Sequence, residues 1–263
     1  MNRSAVHLLD LPNEILFNSL KKLDNVDVLY SLFGINNDRL DSIAQEETFS
    51  TILNFVSIVH NIIINDSILD RFCNNVLPQI YYNVKCLIVE SASMERILLA
   101  THYPNWTQLK IFNFQRDSCS LRYFTDDSSL QRIFKQQIKK LDLINEDSEL
   151  AVESLKNYTK KVYAHILTYF ENLEYLNVIE TSISGYPGLV VHYLPLNTFS
   201  SVILTYLCIN VATLTDCLYV LDGRLKQLST FIVRIYCMYM DSSFVHKMVG
   251  IFYLVILLEQ TKC

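Results

Sequence analysis

The chain is poor in glycine, and this scarcity excludes several classes of nucleotide-binding site. Five glycines occur in 263 residues, at positions 34, 185, 188, 223 and 250. A phosphate-cradling loop or a dinucleotide fingerprint needs several glycines at close, fixed spacing, so neither can be assembled from these positions. The Gly-x-Ser-x-Gly turn that carries the nucleophile of many serine hydrolases is also missing from the sequence.

Metal and disulfide signatures are missing as well. Six histidines and seven cysteines are scattered, with no Cys-x-x-Cys, His-x-His or His-Glu-x-x-His spacing. The odd number of cysteines, and apolar surroundings such as those of Cys208, favour reduced thiols in the cytoplasm or nucleus. The sequence thus predicts a non-catalytic protein without cofactor or metal. An α/β enzyme with a site assembled from distant residues stays open as an alternative.

Charge is sparse, and long apolar runs are lacking. Charged residues make up 19% of the chain, the net charge is −5, and basic residues cluster only in isolated pairs, so we expect no nucleic-acid partner. The apolar run 248–258 is too short to span a bilayer as a helix, so no membrane partner is expected either. We interpret this run as a buried strand with its flanks; a weak membrane contact or an exposed end is the alternative. No signal-peptide pattern opens the sequence.

What the chain does have is a motif near its beginning. Pro12 suits the first turn of a helix, Asp10 is expected to cap that helix, and Glu14 interacts favourably with the helix dipole. Large aliphatic residues then follow at helical spacing: Ile15, Leu16, Leu20, Leu23, Val28, Leu29, Leu32 and Ile35. Two or three short helices in about 40 residues have too little interior to bury all of these aliphatic side chains. The apolar surface that stays exposed implies a partner.

The run Leu9-x-Leu11-Pro12-x-Glu14-Ile15-Leu16 resembles the F-box domain, and the resemblance covers residues 5–46. It implies binding to the Skp-type adaptor of a cullin–RING ubiquitin ligase and, through the adaptor, to the cullin and RING subunits. The adaptor-binding residues that it implies are Leu9, Leu11, Pro12, Ile15, Leu16, Leu20, Leu23, Leu29 and Leu32. Where the family often has Val-Cys-Lys-x-Trp, residues 35–40 lack the aromatic, and Leu40 and Ile43 are candidates to fill part of its place. An amphipathic cap that packs on its own protein is the alternative.

Residues 47–263 carry a Leu-x-x-Leu-x-Leu pattern whose starts are separated by 22 to 35 residues. Six segments match it: Val84–Val89, Trp106–Ile111, Ile138–Leu143, Leu173–Val178, Leu204–Ile209 and Leu228–Val233. Ile52–Phe55 and Phe252–Leu257 are weaker matches. The alternation predicts short strands with one buried face, and helical spacing between them predicts helices in 68–77, 130–138 and 149–170.

This strand–helix alternation resembles the leucine-rich repeat, which implies a solenoid with strands on its concave face. The expected fold class is α/β: a short helical F-box followed by an irregular leucine-rich-repeat-like solenoid over 47–263, truncated or atypical at its C-terminal end. The asparagine that the family places after the last leucine is mostly missing, so irregular turns are expected. A doubly wound α/β domain is the alternative.

The residues that such strands would expose on the concave face are the predicted binding site for a protein substrate. They are Gln108, Lys110, Asp142, Tyr175, Asn177, Tyr206, Thr230 and Arg234, with Lys140 and Asn210 beside them. Aromatic and arginine anchors among polar neighbours are typical of protein-binding surfaces; ordinary solvated strand residues are the alternative. The expected function is the substrate-receptor subunit of a ubiquitin ligase. The alternative is a protein-binding module whose degenerate F-box recruits no ligase.

Overall fold

The computed structural model describes residues 10–56, 65–114, 124, 130–145, 164–180, 191, 200–237 and 252–257. The described chain is mixed α/β, as the sequence predicts. It folds into two compact units, the first formed by Met1–Val89 with Ser93–Trp106 and the second by Glu90–Ala92 with Thr107–Cys263.

The described part of the first unit, from residue 10 onwards, begins with four short helices: α1 Asn13–Leu20, α2 Asn25–Leu32, α3 Asp38–Ala44 and α4 Glu47–Ser50. Asp24 caps α2 by accepting a hydrogen bond from the Val26 N–H, and Asn37 caps α3 in the same way through the Leu40 N–H. Pro12, rather than the expected Asp10, occupies the N-cap position of α1.

The first unit continues with two parallel strands and further helices. These elements are β1 Ile52–Asn54, α5 Asp66–Arg71, a π-helical segment Phe72–Val76, α6 Leu77–Ile80, β2 Cys86–Glu90 and α7 Met94–Leu99. The predicted domain boundary after residue 46 lies inside this unit. The Asn25 amide of α2 donates a hydrogen bond of 2.9 Å to the Ile52 carbonyl, and the Phe17 ring of α1 meets Phe49 edge-on at 5.4 Å. The first helices therefore share a core with the segment that follows them.

The described part of the second unit contains six strands whose order in the sheet is their order in the chain. Its elements are β3 Gln108–Phe112, α8 Gln131–Gln136, β4 Lys140–Asn145, α9 Ala164–Tyr169, β5 Tyr175–Glu180, β6 Tyr206–Thr213, α10 Leu214–Val220, β7 Thr230–Cys237 and β8 Phe252–Leu257. Strands β3 to β7 are parallel, and β8 pairs antiparallel with β7. The six predicted segments each contain the start of a strand, β2 to β7, and the two weaker matches contain β1 and β8.

The core of the second unit is built from alternate residues of its strands. The side chains that point to this face are apolar and buried: Leu109, Ile111, Leu141, Leu143, Leu176, Val178, Leu207, Ile209, Val211, Phe231, Val233 and Ile235. Because side chains alternate between the two faces of a strand, the residues between them share the opposite face. Asp216 fixes the start of α10 through a capping box with Thr213, and its carboxylate also accepts a hydrogen bond from the Val191 N–H at 2.6 Å.

Strand β8 differs from the expectation of a buried strand within 248–258. Residues 252–257 do form a strand, but Val255 is 59% exposed and Leu257 is 75% exposed. Hydropathy predicts the strand correctly but not its burial, which depends on what packs against it. Among the described residues, no helix is both long and apolar enough to cross a membrane.

Candidate functional sites

The first candidate site is a set of exposed apolar residues in the N-terminal helical segment. Pro12, Ile15, Leu23 and Ile35 are exposed, and we call these four residues the helical surface. Ile15 is 51% exposed, Leu23 56% and Ile35 47%. Burial of these aliphatic side chains against another protein would be favourable in water, so they are the residues of the first candidate site.

The other predicted adaptor-binding residues do not lie on this surface. Leu16, Leu20, Leu29 and Leu32 are buried in the first unit, and Leu11 is half-buried. Leu40 and Ile43, the candidates to replace the family's aromatic, are buried too. Leu9 lies outside the described residues. Amphipathic spacing identifies the apolar stripe, but which part of it faces the chain's own core depends on the packing of α4 and the segment after it.

Two arginines hold the helical surface in place. The guanidinium of Arg39, on α3, donates hydrogen bonds to the Leu11 carbonyl and, at 2.6 Å, to Asn13 Oδ1. Arg71 donates to the Phe33 carbonyl at 2.9 Å and lies over the Tyr30 ring, 4.5 Å from its centroid. These contacts join the start of α1 to α3, and the end of α2 to α5.

The second candidate site is the face of the second sheet opposite to its core. Strand register brings all the predicted substrate-binding residues onto this one face, which we call the polar strand face. One row across the strands is Gln108, Lys140, Tyr175, Tyr206 and Thr230; the next is Lys110, Asp142, Asn177, Cys208 and Ile232; and Asn210 pairs with Arg234 in a further row. The predicted residues thus lie side by side.

Two tyrosines form the aromatic centre of the polar strand face. The rings of Tyr175 and Tyr206 stack with centroids 4.2 Å apart and planes 13° apart. Burial, reinforced by the negative charge of Asp142, raises the pKa of Tyr175. Burial also raises the pKa of Tyr206. Both hydroxyls are therefore neutral hydrogen-bonding groups at physiological pH.

Beside the tyrosines lies a buried polar pair. Asp142 is 3% exposed and Asn177 is 7% exposed, and the Asn177 amide donates a hydrogen bond of 2.7 Å to Asp142 Oδ1. Lys110 Nζ lies 3.8 Å from Asp142 Oδ2, which is an ionic contact but too long for a hydrogen bond. Within the part of the chain that the structure describes, Asp142 Oδ2 and Asn177 Oδ1 accept no hydrogen bond. Buried acceptors left in this way are uncommon in proteins and require an explanation.

Cys208 belongs to the polar strand face, although its neighbours in the sequence, Leu207 and Ile209, are apolar. It stands opposite Asn177, in the row of Lys110 and Asp142. The Leu-x-x-Leu-x-Leu pattern indicates this position, because Cys208 is the fifth residue of its segment, as Lys110, Asp142 and Asn177 are of theirs. Burial raises the pKa of its thiol, which makes it a poor nucleophile at neutral pH.

Among the described residues, no group of histidine, cysteine, aspartate and glutamate side chains is arranged to hold a metal ion. No protein-family model and no curated protein sequence matches the chain. What the two candidate sites do therefore has to be inferred from their own geometry.

Proposed function

We propose that this protein is the substrate-receptor subunit of a cullin–RING ubiquitin ligase. In this proposal the helical surface binds a Skp-type adaptor, and the polar strand face binds the protein to be modified. The observation that carries the first half is the exposure of Pro12, Ile15 and Leu23 in the segment whose sequence resembles an F-box. Leu16, Leu20, Leu29 and Leu32 of the same motif are buried in the first unit.

The second half of the proposal includes an irregular leucine-rich-repeat-like solenoid for the strand–helix units. Its support is the strand order, which follows the chain from β3 to β8 without reversal. A doubly wound sheet reverses its order at the switch point where its ligand binds. Among the described strands of the second unit no such reversal occurs, so the alternative of a doubly wound enzyme lacks its usual site.

The mechanism that we propose is proximity rather than chemistry by this chain. A receptor that binds the adaptor and a target at once raises the effective concentration of target lysines at a separately recruited ubiquitin-conjugating enzyme. Neither candidate site needs a nucleophile or a general base for this role. The compartment that fits such a receptor, and the seven cysteines without disulfide spacing, is the cytoplasm, the nucleus or both.

A second function is favoured by a specific observation. Leu16, Leu20, Leu29 and Leu32 are buried in the chain's own core, which leaves fewer aliphatic side chains for an adaptor than the motif implies. In this alternative the chain is a protein-binding module with a degenerate F-box. It would bind its target through the polar strand face without recruiting a ligase.

A pull-down of the full chain with a co-expressed Skp-type adaptor tests the helical surface. We expect the wild-type chain to retain the adaptor and the double variant Ile15→Asp with Leu23→Asp to lose it. Both side chains are more than half exposed, so the charges should disturb the interface and not the core.

Leu99→Asp is the matched control, because Leu99 is 52% exposed in the same unit but lies on α7, outside the motif. It should retain the adaptor fully. If the double variant still bound like wild type, the assignment of the helical surface to the adaptor would be refuted.

A further inference from the structure

We propose that the polar strand face accepts an arginine side chain of the bound protein, placed between the Tyr175–Tyr206 pair and the oxygens of Asp142 and Asn177. This inference rests on the proposed function, because it names the chemistry by which the face would recognise its protein substrate. The bound group is identified by the donors and the charge that the site requires.

The first reason is the pair of buried acceptors. The hydrogen bond from the Asn177 amide to Asp142 Oδ1 fixes both side chains and leaves Asp142 Oδ2 and Asn177 Oδ1 without a donor among the described residues. A buried acceptor that lacks a donor destabilises the free protein, and a ligand that supplies the donor recovers this loss on binding. A guanidinium carries five N–H donors in one plane, so a single side chain can serve two acceptors on neighbouring strands.

The second reason is the aromatic pair beside those acceptors. Tyr175 stands in register with Tyr206 and two residues before Asn177 on the same strand face. The face of an aromatic ring attracts cations, and guanidinium groups stack on tyrosine readily. An anionic group would instead be repelled by the Asp142 carboxylate, whose negative charge contributes to the raised pKa of both tyrosines.

The third reason is the long ionic contact between Lys110 and Asp142. The Lys110 ammonium group balances the charge of Asp142 from 3.8 Å without hydrogen-bonding to it, and its side chain is 33% exposed on a flexible stem. An incoming guanidinium would make shorter, hydrogen-bonded contacts with the same carboxylate and displace Lys110 towards solvent. Lys110 thus competes with the incoming guanidinium for the Asp142 carboxylate. Removing the charge of Lys110 should therefore strengthen binding of the arginine side chain.

The test uses the full chain and three unlabelled peptides, Gly-Ser-Gly-X-Gly-Ser-Gly with X as Arg, Gln or Glu, with dissociation constants measured by saturation-transfer NMR. The arginine peptide should bind most tightly. Asp142→Asn keeps the shape of the side chain and should weaken that binding by about tenfold or more, since it removes a charge-assisted hydrogen bond. Tyr206→Leu should weaken it by a few-fold, roughly the effect of one cation–π contact.

Lys110→Met should tighten binding of the arginine peptide, whereas Lys226→Met, which changes an exposed lysine of the same unit outside the strands, should leave it unchanged. Preference for the glutamate peptide together with weaker binding by Lys110→Met would overturn the inference and assign the face to anions. Equal affinities for all three peptides, or no binding of any, would overturn it as well. Adaptor binding is measured on the same Asp142→Asn variant. If this variant retains the adaptor, the failure concerns the arginine inference and not the adaptor binding of the proposed function.

Discussion

At the residue scale, two tyrosines in different units are held by different kinds of contact. Tyr103 is fully buried, donates a hydrogen bond of 2.7 Å to the Ile97 carbonyl and meets the Trp106 ring edge-on at 6.0 Å. Tyr175 is half-buried and stacked on Tyr206. In both, burial is the main cause of a raised pKa. Tyr103 is thus a structural residue, whereas Tyr175 remains accessible to a partner.

The raised pKa values predict how stability depends on alkaline pH. An unfolded tyrosine ionises near pH 10, whereas Tyr103 and Tyr175 stay protonated in the folded protein to higher pH. Above about pH 10 the unfolded state therefore binds fewer protons, and the free energy of unfolding falls as pH rises. Denaturant unfolding between neutral pH and alkaline pH should show this fall. Tyr103→Phe should reduce its slope, whereas the exposed control Tyr82→Phe should not; equal slopes in the two variants would contradict the assignment.

The positions of Tyr175 and Tyr206 on one face could be predicted from the sequence, because both occupy the same place in the Leu-x-x-Leu-x-Leu segment. Their stacking could not, since it requires the register of two neighbouring strands separated by about 30 residues of chain. The same holds for the Asn177–Asp142 hydrogen bond. Sequence spacing assigns a residue to a face, but only the paired strands decide which side chains touch.

At the scale of elements, strands were predicted better than helix starts. Each leucine segment contains the start of a strand because alternation of apolar residues is a direct signal of a half-buried strand. Caps were less predictable: Pro12 occupies the N-cap position of α1, where Asp10 was expected. Of the predicted helix 149–170, Ala164–Tyr169 is observed as α9, and residues 149–163 lie outside the described part of the chain.

Arg39 gives a prediction at the element scale, because it joins α3 to the start of α1. Arg39→Met should remove the hydrogen bonds to the Leu11 carbonyl and Asn13 Oδ1, and should lower the free energy of unfolding by about 1–2 kcal/mol. Weaker adaptor binding should accompany it, since the helical surface loses its support. Chemical denaturation and the adaptor pull-down are the two measurements.

Lys85→Met is the control for Arg39→Met, because its ion pair with Glu47 is solvent-exposed on both sides. Such a solvent-exposed pair contributes little to stability, so this variant should unfold nearly like wild type and bind the adaptor normally. A loss of stability in Lys85→Met equal to that in Arg39→Met would refute the supporting role of Arg39.

At the scale of the whole molecule, the sequence correctly predicted a mixed α/β chain. It placed a boundary after residue 46, inside the first compact unit, because the motif ends there. Contacts such as Phe17 with Phe49 cross that boundary. Removing residues 1–46 would therefore expose a core, and single-residue variants are the better tools for separating the two proposed binding functions.

The central claim is that this chain joins a cullin–RING ligase through its helical surface. The measurement that tests it most directly is size-exclusion chromatography of the full chain mixed with a Skp-type adaptor and the adaptor-binding part of a cullin. We predict one complex that contains all three proteins, and its loss in the Ile15→Asp, Leu23→Asp double variant. A folded wild-type chain that elutes apart from the adaptor–cullin complex would contradict the claim and favour the module with a degenerate F-box.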